Sequence, residues 1–173
     1  MTAAPQARTV GFQPGERNVF FHLLTACNLR CRHCYINPAE HGTATLPLAT
    51  VQRWLKLFAR PERETNLILL GGEPTLHPDL AAIIRAAKSL RYAVTVDSNG
   101  YLFHDLLDRV TPQEVDYLSF SLDGPDAAVN DPIRGEGVFA VCTANIRRAV
   151  TASFNTSCNY TVSWLNIDHL HRM

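Results

Sequence analysis

Residues 66–74 read NLILLGGEP, and this stretch decides the fold class. Four consecutive aliphatic residues, Leu67 to Leu70, leave no polar side, so the segment suits a strand covered on both faces, as in a parallel sheet. Gly71 and Gly72 end it. Working outward, residues 18–25 (NVFFHLLT), 92–97 (YAVTVD), 115–122 (VDYLSFSL) and 156–162 (TSCNYTV) also read as strands. Helical spacing lies between them. Residues 47–59 place Val51, Trp54, Leu55 and Phe58 on one face, and residues 78–91 do the same with Leu80, Ile83, Ile84, Ala87 and Leu90. Residues 102–110 form a short helix. Residues 137–150 carry Phe139, Cys142, Ile146 and Ala149 on one stripe, so Cys142 is expected in the core. Another helical turn begins near Asn166. Strand–helix alternation predicts an α/β fold with a parallel sheet and right-handed crossovers. Periodicity does not separate an open doubly wound sheet from part of a (βα) barrel.

The chain has 173 residues, 46% hydrophobic and 18% charged, enough for one domain with a core. Residues 1–17 hold two prolines and two glycines and are expected to form a loose arm, with the folded core at 18–173. Acidic and basic residues balance at 16 each, which gives no field favouring nucleic acid or an anionic membrane. No apolar run has the length of a membrane span. Residues 1–13 lack the apolar stretch of a secretory signal. The expectation is a soluble cytoplasmic protein. Its five cysteines are an odd count, and Cys27, Cys31 and Cys34 crowd into eight residues, as metal or redox chemistry demands.

Each unusual polar motif follows a strand end. Cys27 to Cys34 follow the first, Gly71-Gly72-Glu73-Pro74 the second, Ser98-Asn99-Gly100 the third, and Ser121-Leu122-Asp123-Gly124 close the fourth. In parallel α/β folds these ends share one face, so the motifs should converge there. The cysteine spacing C-x3-C-x2-C supplies three thiolates from one loop, where both tetrahedral zinc and most 4Fe–4S clusters take four ligands. One metal position is therefore open. Zinc completed by His33, His41 or His77 is the competing reading, although His33 sits between Arg32 and Cys34 and should diverge from the thiolates. Alternation on the fourth strand puts Tyr117, Ser119 and Ser121 on one face, and Leu118, Phe120 and Leu122 on the other. His22 reads as a core histidine, with a lumen-facing position as the alternative, His77 as a loop residue, and Cys158 as structural.

The run CNLRCRHCY, residues 27–35, resembles the signature of the radical S-adenosylmethionine superfamily. That resemblance implies a 4Fe–4S cluster on Cys27, Cys31 and Cys34, with His33 at the family's aromatic position. It further implies that S-adenosylmethionine chelates the fourth iron through its amino and carboxylate groups. Reductive cleavage then yields a 5′-deoxyadenosyl radical that abstracts hydrogen from a substrate. Gly71, Gly72, Glu73 and Pro74 match the family's GGEP motif, which contacts the cofactor's amino group. Glycines there let the backbone approach a ligand, and Glu73 can accept from an ammonium. Asn99 sits in a turn similar to the family's TNG. Ser121 corresponds to a serine near the cofactor ribose, and Asp123 orients or caps the same loop. Residues 131–135 (DPIRG), read as a loop before a helix, resemble the IRG segment of radical enzymes that carry a SPASM extension, and the resemblance implies that Arg134 is directed at the cofactor carboxylate.

The resemblance covers residues 20–162 and implies a partial parallel (βα) barrel of the radical SAM type. Its relatives usually have six strand–helix units. Five strands are read here, so the barrel is expected to be truncated after the fifth. The chain is then a fragment, a truncated product, or one that closes its barrel with a partner. The expected activity is radical chemistry on a peptide or protein, with an external electron donor, no nucleic acid and no membrane. Similar enzymes act in cofactor or haem biosynthesis, which is the alternative. A zinc-binding interaction module and an inactive fragment are the rivals from other classes.

Overall fold

A computed structural model describes residues 16–60, 62, 65–103 and 105–173. The expected arm, 1–17, lies outside the described residues except for Glu16 and Arg17, and Arg17 already begins a strand.

Five strands, β1 (Arg17–His22), β2 (Thr65–Leu70), β3 (Tyr92–Ser98), β4 (Tyr117–Ser121) and β5 (Thr156–Asn159), form one sheet in the order β1-β2-β3-β4-β5. All four pairings are parallel. Consecutive order without reversal is the winding of a barrel, whereas a doubly wound sheet reverses at a switch point. The fold is thus an α/β partial barrel.

Helices α1 (Leu48–Phe58), α2 (Leu80–Ser89), α3 (Leu106–Arg109), α4 (Ala127–Arg134) and α5 (Val138–Thr151) connect the strands. The core lies between the helices and one face of the sheet. Leu67, Leu69, Val94, Val96, Leu118 and Phe120 from the strands meet Val51, Leu55, Leu80, Ile83, Ile84 and Cys142 from the helices. Each such aliphatic side chain contributes roughly 1.5–3 kcal/mol by leaving water. The expected alternation on β4 is present: Leu118 and Phe120 are buried on the helix side. Cys142 is in the core as expected, and burial pushes its thiol up to about 12.

Three expectations in this region need correction, for the first strand, His22 and Cys158. The first strand ends at His22, not Thr25, because the chain leaves the sheet and pairs with residues 44–46 through Leu46 N–Leu23 O at 2.8 Å and Thr25 N–Ala44 O at 2.9 Å. His22 is exposed on the inner face, edge-on to Tyr35 at 5.7 Å, rather than in the core. His77 lies in a loop as expected, between the 3-10 turn and α2, but is buried there: its Nδ1 accepts from Asp79 N at 3.1 Å, so its Nε2 carries the proton and donates to Leu46 O at 2.9 Å. Cys158 is exposed.

The 131–135 segment is no loop before a helix. Residues 131–134 are the last turn of α4, capped by Asp126, whose carboxylate accepts from Val129 N at 3.1 Å. The Asp131 carboxylate then accepts from Gly137 N (2.9 Å) and Phe139 N (2.8 Å), which fastens the start of α5.

Candidate active site at the carboxyl ends of the strands

The cysteine loop leaves β1 and is held from two sides. On one side Gly72 N donates to Leu24 O at 2.9 Å, and Glu73 N to Ala26 O at 2.8 Å. This contact explains the two glycines. A Cβ on Gly72 would lie 2.1 Å from Ala26 O, and one on Gly71, whose φ is +152°, 2.6 Å from Leu24 O. The close approach that they allow is to the chain's own residues 24–26, where the sequence suggested a ligand.

Pro74 starts a 3-10 turn, Pro74–Leu76, behind the glycines. Glu73 has 0% exposure, and its carboxylate is filled from within. Oε1 accepts from Thr75 N (3.0 Å), Thr75 Oγ1 (2.7 Å) and Ser98 Oγ (2.9 Å), and Oε2 accepts from Asn99 N (2.7 Å). Burial pushes this carboxyl up, and the four donors oppose that. Glu73 therefore locks the GGEP turn to the Ser98–Gly100 turn. Asn99 continues the chain of contacts. Its Nδ2 donates to Asn28 Oδ1 at 2.7 Å and lies 3.8 Å from Cys27 Sγ.

On the other side the loop meets α4. Arg32 N donates to Ile133 O at 2.9 Å. His33 turns away from the thiolates, as expected, and its Nε2 lies 2.9 Å from Asp123 Oδ2. Arg134 Nε lies 2.6 Å from the same oxygen. Both contacts are off the line of an ideal hydrogen bond, so attraction between charges carries them, His33 contributing when protonated. Asp123 Oδ1 accepts from Thr161 N at 2.7 Å, and Asp123 N donates to Asn130 Oδ1 at 2.9 Å. Burial pushes the Asp123 carboxyl up, but His33, Arg134 and Thr161 together outweigh it and hold it below the usual range. Asp123 is thus a buried hub for three segments.

Each cysteine sulfur is faced by a nitrogen. Cys27 Sγ is 3.5 Å from Leu29 N, Cys31 Sγ is 3.9 Å from Arg134 Nη1, and Cys34 Sγ is 3.5 Å from His41 Nε2. Burial pushes the Cys27 and Cys31 thiols up. The Leu29 amide counters this at Cys27, and Arg134 does so at Cys31. Three thiols on one loop, two of them beside a group that favours the thiolate, are the ligand set that a cluster bound by three cysteines takes. Asn28 Nδ2, His33 Nδ1 and His41 Nδ1, buried around this loop, have no hydrogen-bond partner among the described residues. Of the three histidines weighed for zinc, His33 and His77 are engaged elsewhere, and His41 alone stands beside a thiol.

Ser121, half-buried, shares the inner face of β4 with Ser119, and pairs in register with Asn159. The sequence reading missed Asp97 on the adjacent β3. Its carboxyl is pushed up by burial, partly offset by hydrogen bonds from Ser119 and Asn159. Tyr35 links this face to the cysteine loop. Its phenol is pushed up by burial, then by the nearby Cys34 and Asp97. The signal for Asp97 was available: alternation with Ala93 and Thr95 puts it opposite the buried Val94 and Val96.

No helix among the described residues is long and apolar enough to cross a membrane. The chain is 31% identical over 155 residues to pre-heme d1 synthase of Dinoroseobacter shibae, covering 88% of this chain and 38% of that protein. It is 28% identical over 135 residues to mycofactocin maturase MftC of Mycobacterium ulcerans, covering 78% of this chain and 36% of the other. It thus spans well under half the length of these relatives. Among solved structures, native anSMEcpe with bound AdoMet and Kp18Cys peptide superposes with a TM-score of 0.73 at 14% identity, over 91% of this chain and 46% of that one, which shows the shared fold. The profile of the Radical SAM superfamily matches residues 22–169, which take in the cysteine loop, the GGEP turn, Asp123 and Arg134. The chain belongs to the radical SAM superfamily, whose cofactors are a 4Fe–4S cluster and S-adenosylmethionine.

Proposed function

We propose that this chain carries the radical-generating site of an enzyme that removes a hydrogen atom from a peptide or protein. Cys27, Cys31 and Cys34 would hold the cluster, which when bound would supply the electron for reductive cleavage of S-adenosylmethionine to methionine and a 5′-deoxyadenosyl radical. The chain's own residues do the rest. Leu29 N and Arg134 oppose the cost of burying Cys27 and Cys31 as thiolates, and His41 stands beside Cys34. Arg134, held by Asp123, presents its remaining guanidinium N–H groups to an anionic group such as the cofactor carboxylate. Gly71 to Pro74 and Asn99 hold the loop at its working distance from the sheet, and Ser121 faces the inner side where a ribose would lie. The carrying observation is the set of three thiols on one loop, each with its nitrogen neighbour, at the carboxyl ends of the strands.

The peptide reading is supported by a maturase among the relatives and by a neighbour of the same fold that holds a peptide beside AdoMet. A second reading, action on a haem precursor, is favoured by the pre-heme d1 synthase relative. The test is anaerobic. The chain is reconstituted with iron and sulfide, given dithionite in place of its external electron donor, and mixed with S-adenosylmethionine. Formation of 5′-deoxyadenosine, lost in Cys31→Ala, is the expected result. A colourless protein holding one zinc per chain would overturn it.

A further inference from the structure

The inner face of the sheet contrasts with the helix-covered face. Its residues alternate with the core residues of each strand: Asn18, Phe20 and His22 on β1, and the corresponding positions on β2 to β5. None of them is lysine or arginine, and Asp97 is the one carboxylate among them. Ser119 stands beside Asp97 in the sheet, Ser157 beside Ser119, and Asn159 beside Ser121. A polar shelf of hydroxyls and an amide therefore surrounds a single acid, next to the cysteine loop.

Three interior carboxylates lie at this end of the sheet, and they differ in what they have left to give. Glu73 accepts four hydrogen bonds from its own chain. Asp123 is consumed by Arg134, His33 and Thr161 N. Asp97 stands beside the neutral Ser119 in the sheet, with Asn159 on the strand beyond, and is half-buried rather than sealed. A carboxylate offers about four acceptor sites, so Asp97 retains acceptor capacity toward the inner side. An acid that is partly desolvated and incompletely satisfied favours a donor brought by a ligand.

We infer that Asp97, with Ser119 and Asn159, is a specificity element that accepts a hydrogen bond from an N–H donor of the substrate, a backbone amide or a cationic side chain, and disfavours polycarboxylates. The inference rests on the proposed radical chemistry at this site and narrows its substrate class. A tetrapyrrole precursor carries several carboxylates and calls for arginine or lysine on the wall that receives it. The wall built by these five strands offers neither, and places a like charge there.

Binding tests this separately from turnover. The reconstituted chain is titrated by calorimetry, in the presence of S-adenosylmethionine, with four probes. Three are capped pentapeptides that differ only in a central lysine, glutamine or glutamate, and the fourth is a tetracarboxylate porphyrin. The lysine and glutamine peptides should bind about tenfold or more tighter than the glutamate peptide and the porphyrin, the scale of one charge-assisted hydrogen bond. Asp97→Asn, nearly isosteric, should erase the advantage of lysine over glutamine, and Asp97→Lys should reverse the order of lysine and glutamate. Equal or absent binding of all four probes, porphyrin binding as tight as that of the lysine peptide, or an order unchanged in Asp97→Lys overturns the inference. Failure of the radical reading registers elsewhere, as loss of the cluster's visible absorbance or of 5′-deoxyadenosine.

Discussion

Two fully buried carboxylates flank the cysteine loop, and their surroundings are opposite. Glu73, after β2, is held by four neutral donors, and its pKa is raised. Asp123, after β4, is held by Arg134, His33 and a backbone amide, and its pKa is lowered. Both have 0% exposure, so burial alone does not set the sign. A carboxylate satisfied by neutral groups stays expensive to ionise. One facing a buried guanidinium is needed as an anion, because without it the cation is stranded. Glu73 is thus a geometric pin, and Asp123 an electrostatic one.

The largest expected effect is at the electrostatic pin. Asp123→Asn keeps the shape and the acceptor for Thr161 N but leaves Arg134, 7% exposed, without its counter-charge. Removing one partner of a buried pair costs about 3–5 kcal/mol. The urea midpoint should fall accordingly, and the iron bound after reconstitution should fall with it, because Arg134 also faces Cys31. A loss below about 1 kcal/mol would show that solvent or another group compensates Arg134. Glu73→Gln should cost less, about 1–3 kcal/mol, since one oxygen still accepts while the new amide opposes Asn99 N. If Glu73→Gln proved the more damaging, the division into two kinds of pin would fail.

The pins should also separate by pH. Asp123, with its depressed folded pKa, contributes stability that is present above its unfolded value of about 3.9 and lost as pH falls through the lower folded value. Glu73, with a raised folded pKa, contributes in the opposite sense. Its term is fully present below about 4.3 and is lost as pH rises through the folded value. Unfolding free energy measured against pH should therefore lose its acid-side fall in Asp123→Asn, and its fall above about pH 4.3 should flatten in Glu73→Gln. Parallel curves for both variants would contradict the assignment.

How much of this was legible in the sequence depends on range. The strands and their buried faces follow from a period of two, and Leu118 and Phe120 sit where alternation puts them. The cysteine loop and the GGEP turn announce themselves by local spacing. Helix α4 does not, because Asn130, Asp131 and Pro132 are poor helix formers and its support comes from the Asp126 cap and from the contacts of Asp131 to α5. His22 was misplaced, and the burial of loop residue His77 was not legible, for a related reason, since a histidine's burial is decided by neighbours such as Leu46 that lie far along the chain. The contact between His33 and Asp123 joins residues 90 positions apart. Only the sheet order and register bring them together.

The smallest effect tests whether His33 belongs to the electrostatic pin at all. His33→Phe keeps an aromatic ring between Arg32 and Cys34 and removes one of the two contacts to Asp123 Oδ2. Arg134 and Thr161 N remain, so Asp123 still has a counter-charge and a donor. The side chain of His33 is 16% exposed, and water can replace part of what it gives. The expected cost is about 0.5–1 kcal/mol, that of a partly screened ion pair, with iron content unchanged. If the variant instead lost iron as Asp123→Asn is expected to, the imidazole rather than the guanidinium would be what fastens the cysteine loop, and the carboxylate would matter mainly as the imidazole's anchor.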